Sequence, residues 1–282
     1  MFTNRRTPNC LILAAAVAAF GIGGAAYGAP SYTADFNTMS TGSIDGQQGW
    51  SASNTNVDQS VVAVSHNVFR MSNAYGSNGF ADYPFGPAID LAGEPATGAS
   101  NDNFQMSLSF QSATGAAQTG LFVGVGPAAS SNLSDRQGTF FIYDDSGLGL
   151  NVLWEDYVSG AFSDHLVGHD LSYTAAHTLS ASLTFLAGAS NDVAQISVDG
   201  SPADTFTDYE GAYASPVPAD TVLFKSFTNY DATSLGGSDA TMSGNGLYFN
   251  NLSYSSSVPE PATLSLLALG AVGLLARRRR KA

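Results

Sequence analysis

The chain has 282 residues, with 10 lysines and arginines against 23 aspartates and glutamates, and a single cysteine. Seven of the ten cations lie at the two ends, so residues 31–257 hold 22 carboxylates against only Arg70, Arg136 and Lys225, a formal charge of −19 with histidine neutral. A body this acidic repels nucleic acid and anionic lipid, which excludes both as its partners and leaves divalent cations or plain solubility as the uses of its charge.

In chain order, Met1–Gly28 reads as a secretory signal peptide. Arg5 and Arg6 form the positive segment, Leu11–Ile22 the apolar one, and Ala26-Tyr27-Gly28 a small-residue cleavage site. The stretch Asn4-Arg5-Arg6-Thr7-Pro8 lacks the hydrophobic residues that twin-arginine export expects, which favours general secretion. Cys10 lies ahead of the apolar segment and leaves with the leader, so the mature body has no disulfide, thiol catalyst or cysteine metal site.

Residues 29–257 then read as one β domain. Phe104–Gln111 alternates strictly, with Phe104, Met106, Leu108 and Phe110 facing in. His177–Ala187 does the same with Leu179, Ala181, Leu183 and Phe185. Further strands are expected at Ser60–Val64, Val68–Ser72, Gly120–Val125, Thr139–Tyr143, Gly149–Trp154, Val193–Asp199, Thr221–Phe227 and Gly246–Tyr254. Turn clusters such as Asp144-Asp145-Ser146-Gly147 and Asp199-Gly200-Ser201-Pro202 separate them. Short strands with one polar face each point to an all-β, two-sheet antiparallel sandwich. Ser253–Val258 reads as a serine-rich linker to the last segment.

Residues 258–282 have three parts in order: Pro259-Glu260-Pro261, an uncharged apolar run Ala262–Ala276, and the cations Arg277–Arg280 with Lys281. The prolines end the preceding fold and hold an extended site. The run would form a helix of about 22 Å, short of the roughly 30 Å hydrocarbon core, and the cations beside it favour a transmembrane helix with a cytoplasmic basic end. This order resembles the PEP-CTERM sorting signal of Gram-negative bacteria that make extracellular polysaccharide. The resemblance implies an inner-membrane precursor, an exosortase partner acting near the tripeptide, and release of the body to the cell surface or polysaccharide matrix.

Three stretches of the body resemble concanavalin A-like jelly rolls. They are Asp35-Phe36-Asn37 followed by Gly46-Gln47-Gln48-Gly49-Trp50, the hairpin from Leu183 through Asn191-Asp192 to Val198-Asp199-Gly200, and the closing strand Gly244–Leu252. Asn250 departs from the pattern, standing where that strand usually has Asp.

The residues give no catalytic signature. A retaining glycanase of this fold needs carboxylates alternating along one strand, about 5–5.5 Å apart. The body has only Glu94, Glu155 and Glu210, and Glu155-Asp156 would point to opposite faces. His165 and His169 are four apart, but Leu166 stands where a zinc hydrolase needs its glutamate. No G-x-S-x-G elbow is present. Calcium is the more physical ligand, with loop oxygens at Asp144, Asp145, Asn191 and Asp192 and at the Asp35/Asn250 pair, each of which a turn would equally explain. Among aromatics, Trp50 and Trp154 are expected in the core, and Tyr209 and Tyr213 in a loop that could stack a sugar. The expectation is therefore a non-catalytic glycan-binding or matrix-structural module, with a jelly-roll hydrolase or lyase as the alternative.

Overall fold

The alternation in the sequence becomes two antiparallel sheets stacked face to face. The computed structural model describes residues 30–52, 57–75, 80–89, 102–130, 132–144, 147–186, 191–210, 212, 219–227 and 245–257. In chain order the strands are β1 (Ser31–Thr33), β2 (Val57–Ala63), β3 (Asn67–Tyr75), β4 (Phe80–Phe85), β5 (Asp102–Ser112), β6 (Leu121–Ala129), β7 (Asn132–Arg136) and β8 (Thr139–Asp144). They continue as β9 (Leu150–Val158), β10 (Ala161–Leu171), β11 (His177–Phe185), β12 (Val193–Val198), β13 (Asp204–Phe206), β14 (Thr221–Phe227) and β15 (Leu247–Ser257). Sheet A runs β13-β12-β11-β5-β15-β3-β2, with β1 added on β15. Sheet B runs β10-β9-β8-β6-β14-β4, with β7 added on β6.

Between the sheets lies one aromatic core. Phe69, Phe104, Phe110 and Phe249 of sheet A meet Phe140, Trp154 and Phe224 of sheet B, and all are fully buried. Phe224 sits edge-on to both Phe249 and Phe69, with ring centroids 5.0 and 5.2 Å apart, the geometry that aromatic quadrupoles favour. Among the described residues, the members of this core run from Ala34 to Tyr254.

The Gly46–Trp50 turn serves that core. Gly46 and Gly49 take φ of 74° and 84°, conformations open to glycine, and turn the chain so that Trp50 points inward, 2% exposed. The Gln47 amide closes the loop on the Ser40 and Ser43 carbonyls, while Trp50 Nε1 donates to Tyr32 Oη at 2.9 Å. Trp154 is buried as well.

All ten expected strands are present. The five that were not expected have local reasons: β1 and β13 are three residues long, β4 contains Pro84, and β7 has only five residues. In β10, register shifts between Leu166 and Gly168 and between Gly168 and Leu171 break the period of two. One boundary is corrected. Ser253–Ser257 is not a linker but the second half of β15, paired with both β5 and β1. Its serines alternate with inward Leu252, Tyr254 and Ser256, all buried. The leader, Glu94, Asp145, Tyr213 and residues 258–282 lie outside the described residues, the expected transmembrane helix 262–276 among them; no helix of the described residues is long and apolar enough to cross a membrane.

Candidate functional site

Register places the outward polar residues of sheet A in straight rows. One row crosses five strands as Thr33, Ser253, Ser107, Ser180 and Ser197. The next crosses six as Ser31, Ser255, Gln105, Ser182, Gln195 and Thr205. At about 4.8 Å per strand the five-strand row spans roughly 19 Å. These rows floor an open trough of about 640 Å³ whose lining contains no carboxylate, lysine, arginine or histidine.

Sheet B differs on its outward face. Phe122, Phe141, Leu223 and Lys225 point away from the core yet are at most 8% exposed. Lys225 Nζ donates to Thr139 Oγ1 at 2.5 Å and lies 5.7 Å from the centre of the Tyr209 ring. The Tyr209 hydroxyl in turn donates to Glu155 Oε1. A cation, a phenol and a carboxylate therefore converge on one face, a set able in principle to hold an anion and move a proton.

Tyr209 reaches that cluster because residues 207–210 form a strap from the edge of sheet A to sheet B. Trp154 Nε1 donates to the Thr207 carbonyl at 3.0 Å, Thr207 Oγ1 donates to Asp156 Oδ2 at 3.0 Å, and Tyr157 N–H donates to the Asp208 carbonyl at 2.9 Å. Tyr209 is consequently 1% exposed and is not the open stacking ring expected of a loop. Phe162, 54% exposed, packs edge-on against it at 5.3 Å and is the accessible aromatic there. It sits on β10, one of the five strands the sequence did not reveal.

The strap also brings acidic groups together. One oxygen each from Asp192, Asp208 and Glu210 lies within 4.8 Å of the other two. Asp192 Oδ1 accepts the Leu186 N–H, Glu210 Oε2 accepts the Asn191 N–H, and Asp208 Oδ1 accepts the Glu210 N–H. Burial, reinforced by the charge of Glu210, pushes the Asp192 carboxyl up to about 6. Burial, reinforced by Asp192, pushes Asp208 up to about 8. Asp192 had a visible signal in its Asn-Asp turn; Asp208 and Glu210 had none that linked them to it.

The other expected ligands are separate. Asp144 is fully buried and satisfied by the Gln118 and Gly147 N–H groups and the Tyr173 hydroxyl, which makes it a turn-former. Asn191 is exposed and contributes its backbone to Glu210. Asn250 bonds His66 at 2.8 Å, and the Asp35 carbonyl receives Gln48. His165 faces Asp156 at 3.0 Å whereas His169 faces Asp170 at 3.3 Å, so the two histidines do not share a ligand site.

Residues 257–281 match the PEP-CTERM protein-sorting motif, which contains Pro259, Glu260 and Pro261 and marks an exported chain sorted by exosortase processing. None of the curated proteins matches the sequence. Among solved structures, the chain is similar to a mutant alginate lyase in complex with an alginate trisaccharide, at 11% identity over 81% of this chain and 99% of that one, with a TM-score of 0.51. It is similar to a beta-glucanase from Bacillus licheniformis, at 12% identity over 80% and 95%, TM-score 0.42. It is also similar to a carbohydrate-binding module from Bacillus subtilis, at 12% identity over 74% and 97%, TM-score 0.38. The likeness at a TM-score of 0.51 shows the fold alone, a jelly-roll sandwich of the concanavalin A-like kind.

Proposed function

We propose that the exported domain is a non-catalytic glycan-binding module of the cell surface or exopolysaccharide matrix, and that polysaccharide lies along the trough of sheet A. The observation that carries this reading is the pair of hydroxyl and amide rows in register across the sheet. Such groups both donate and accept, as sugar hydroxyls require. Their uncharged strip on a body of charge −19 lets even an acidic polysaccharide approach without meeting a carboxylate at the contact. Affinity per site would be modest, since no exposed aromatic lines the rows, and a long polymer would add strength by engaging many copies.

The test is retention of residues 29–257 on an array of bacterial and algal polysaccharides, alongside the double variant Ser107→Ala/Ser180→Ala. Retention by the wild type that the variant loses is the expected result. Equal retention by both would move the site off sheet A, and no retention on any glycan would end the binding reading.

A second reading, a polysaccharide hydrolase or lyase, is favoured by the convergence of Glu155, Tyr209 and Lys225 on sheet B. Lys225 and Tyr209 are almost inaccessible, which ranks it second. New reducing or unsaturated ends in the same assay, abolished by Lys225→Met, would put it first.

A further inference from the structure

We propose that Asp192, Asp208 and Glu210 hold one calcium ion, which pins the strap between the two sheets; this is independent of where any glycan binds. Three observations converge. Oxygen ligands sit about 2.4 Å from calcium, so two ligands of one ion are at most about 4.8 Å apart, and the three carboxylates meet that limit. Asp208 Oδ2 is buried without a hydrogen-bond partner, although the residue is only 1% exposed. Its other oxygen is taken by the Glu210 N–H, and its carboxyl faces that of Asp192, so without a cation the two can pair only by holding a proton between them. Among the described residues, no lysine, arginine or histidine pairs with any of the three. An acceptor left this way is costly, and a cation supplies what no side chain does.

The donor set selects the ion. All three ligands are carboxylates, with no imidazole or thiolate, which points away from zinc and towards a hard cation. The ligands come from irregular backbone, the start of β12 and the strap after β13, which suits the flexible coordination of calcium better than the strict octahedron of magnesium. Backbone carbonyls and water complete the shell. The ion would join the turn before β12 to the strap and so hold Tyr209 against sheet B.

The experiment is thermal unfolding of EDTA-treated residues 29–257 with and without added CaCl₂, with Asp208→Asn and Asp199→Asn variants beside the wild type. Asp199 is a half-exposed carboxylate outside the cluster, bonded to His177. Calcium should raise the Tm of the wild type and of Asp199→Asn by about 4 °C or more at saturation. It should leave Asp208→Asn unmoved, while that variant, in which a neutral amide replaces the buried carboxyl facing Asp192, melts no lower than the chelated wild type. Absence of a calcium-dependent gain in the wild type, or a gain that Asp208→Asn retains, overturns the assignment. Titration calorimetry reads the same site directly: saturable heat in the wild type, none in Asp208→Asn.

Discussion

On the outward face of sheet A, β5 and β11 present Gln105, Ser107, Ser109, Ser180 and Ser182 to solvent; on that of sheet B, β6, β8 and β14 present Phe122, Phe141, Leu223 and Lys225, and solvent hardly reaches them. Both faces sit on antiparallel ladders with the same pleat, so backbone geometry does not separate them. What differs is what lies on top. In sheet B, Gly124 leaves a gap that the Lys225 stem, the Phe141 ring and the Thr139 methyl fill side by side, which makes that face a second packed layer. Sheet A carries one layer only, and its other side is free to be a surface. A jelly roll can thus pack one outward face into a second layer and leave the other open.

This contrast predicts unequal responses to similar changes. Phe141→Ala, which removes a ring packed 4.9 Å from Phe122, should cost about 3 kcal/mol in chemical denaturation. Gly124→Ala adds a methyl 3.1 Å from Lys225 Cβ and 3.2 Å from Phe141 Cε1, and should cost about 1–2 kcal/mol. On sheet A, Ser107→Ala with Ser180→Ala should stay within about 0.5 kcal/mol, even where it abolishes polysaccharide retention. If the serine pair proved as damaging as Phe141→Ala, the two faces would be energetically alike and the division of labour would fail.

The strap that joins the faces gives a pH test of finer grain. With no cation at the cluster, Asp208 is pushed up to about 8 from an ordinary value of 3.8, with burial the leading cause. The folded chain then keeps a proton that the unfolded chain has released, so its contribution to stability is complete below about pH 4 and is lost as pH rises through 8. Melting in EDTA should therefore occur at a lower temperature at pH 8 than at pH 5. In Asp208→Asn the difference should shrink.

Sheet A was largely readable from the sequence because one of its faces is wet. Phe104–Gln111 and His177–Phe185 alternate strictly, and each strand landed in its expected register of inward and outward residues. The strands of sheet B were placed, but their double burial was hidden: Leu121–Ala129 is buried at every position, so no alternation announces which side is out. Tyr209 looked like a loop aromatic because its neighbours are polar, and only the pairing of Thr207 with Asp156 and Trp154, some 50 residues away in the chain, turns it inward. The acid cluster shows the same limit. Asn191-Asp192 was visible as a turn, whereas its partners arrive 16 and 18 residues later, across a hairpin and a strap that local pattern does not specify.

The position of β15 carries a consequence for the order of events. It is the last strand of the domain to be synthesised and exported, yet it lies in the interior of sheet A, between β5 and β3 and against β1. Until it arrives, β5 and β3 each keep a raw edge and the sheet stands open along its middle. The sorting motif begins at residue 257, where β15 ends. Closure of the sandwich and emergence of the tail are thus nearly one moment in the passage of the chain: the strand that completes the fold also delivers the segment by which the protein is sorted.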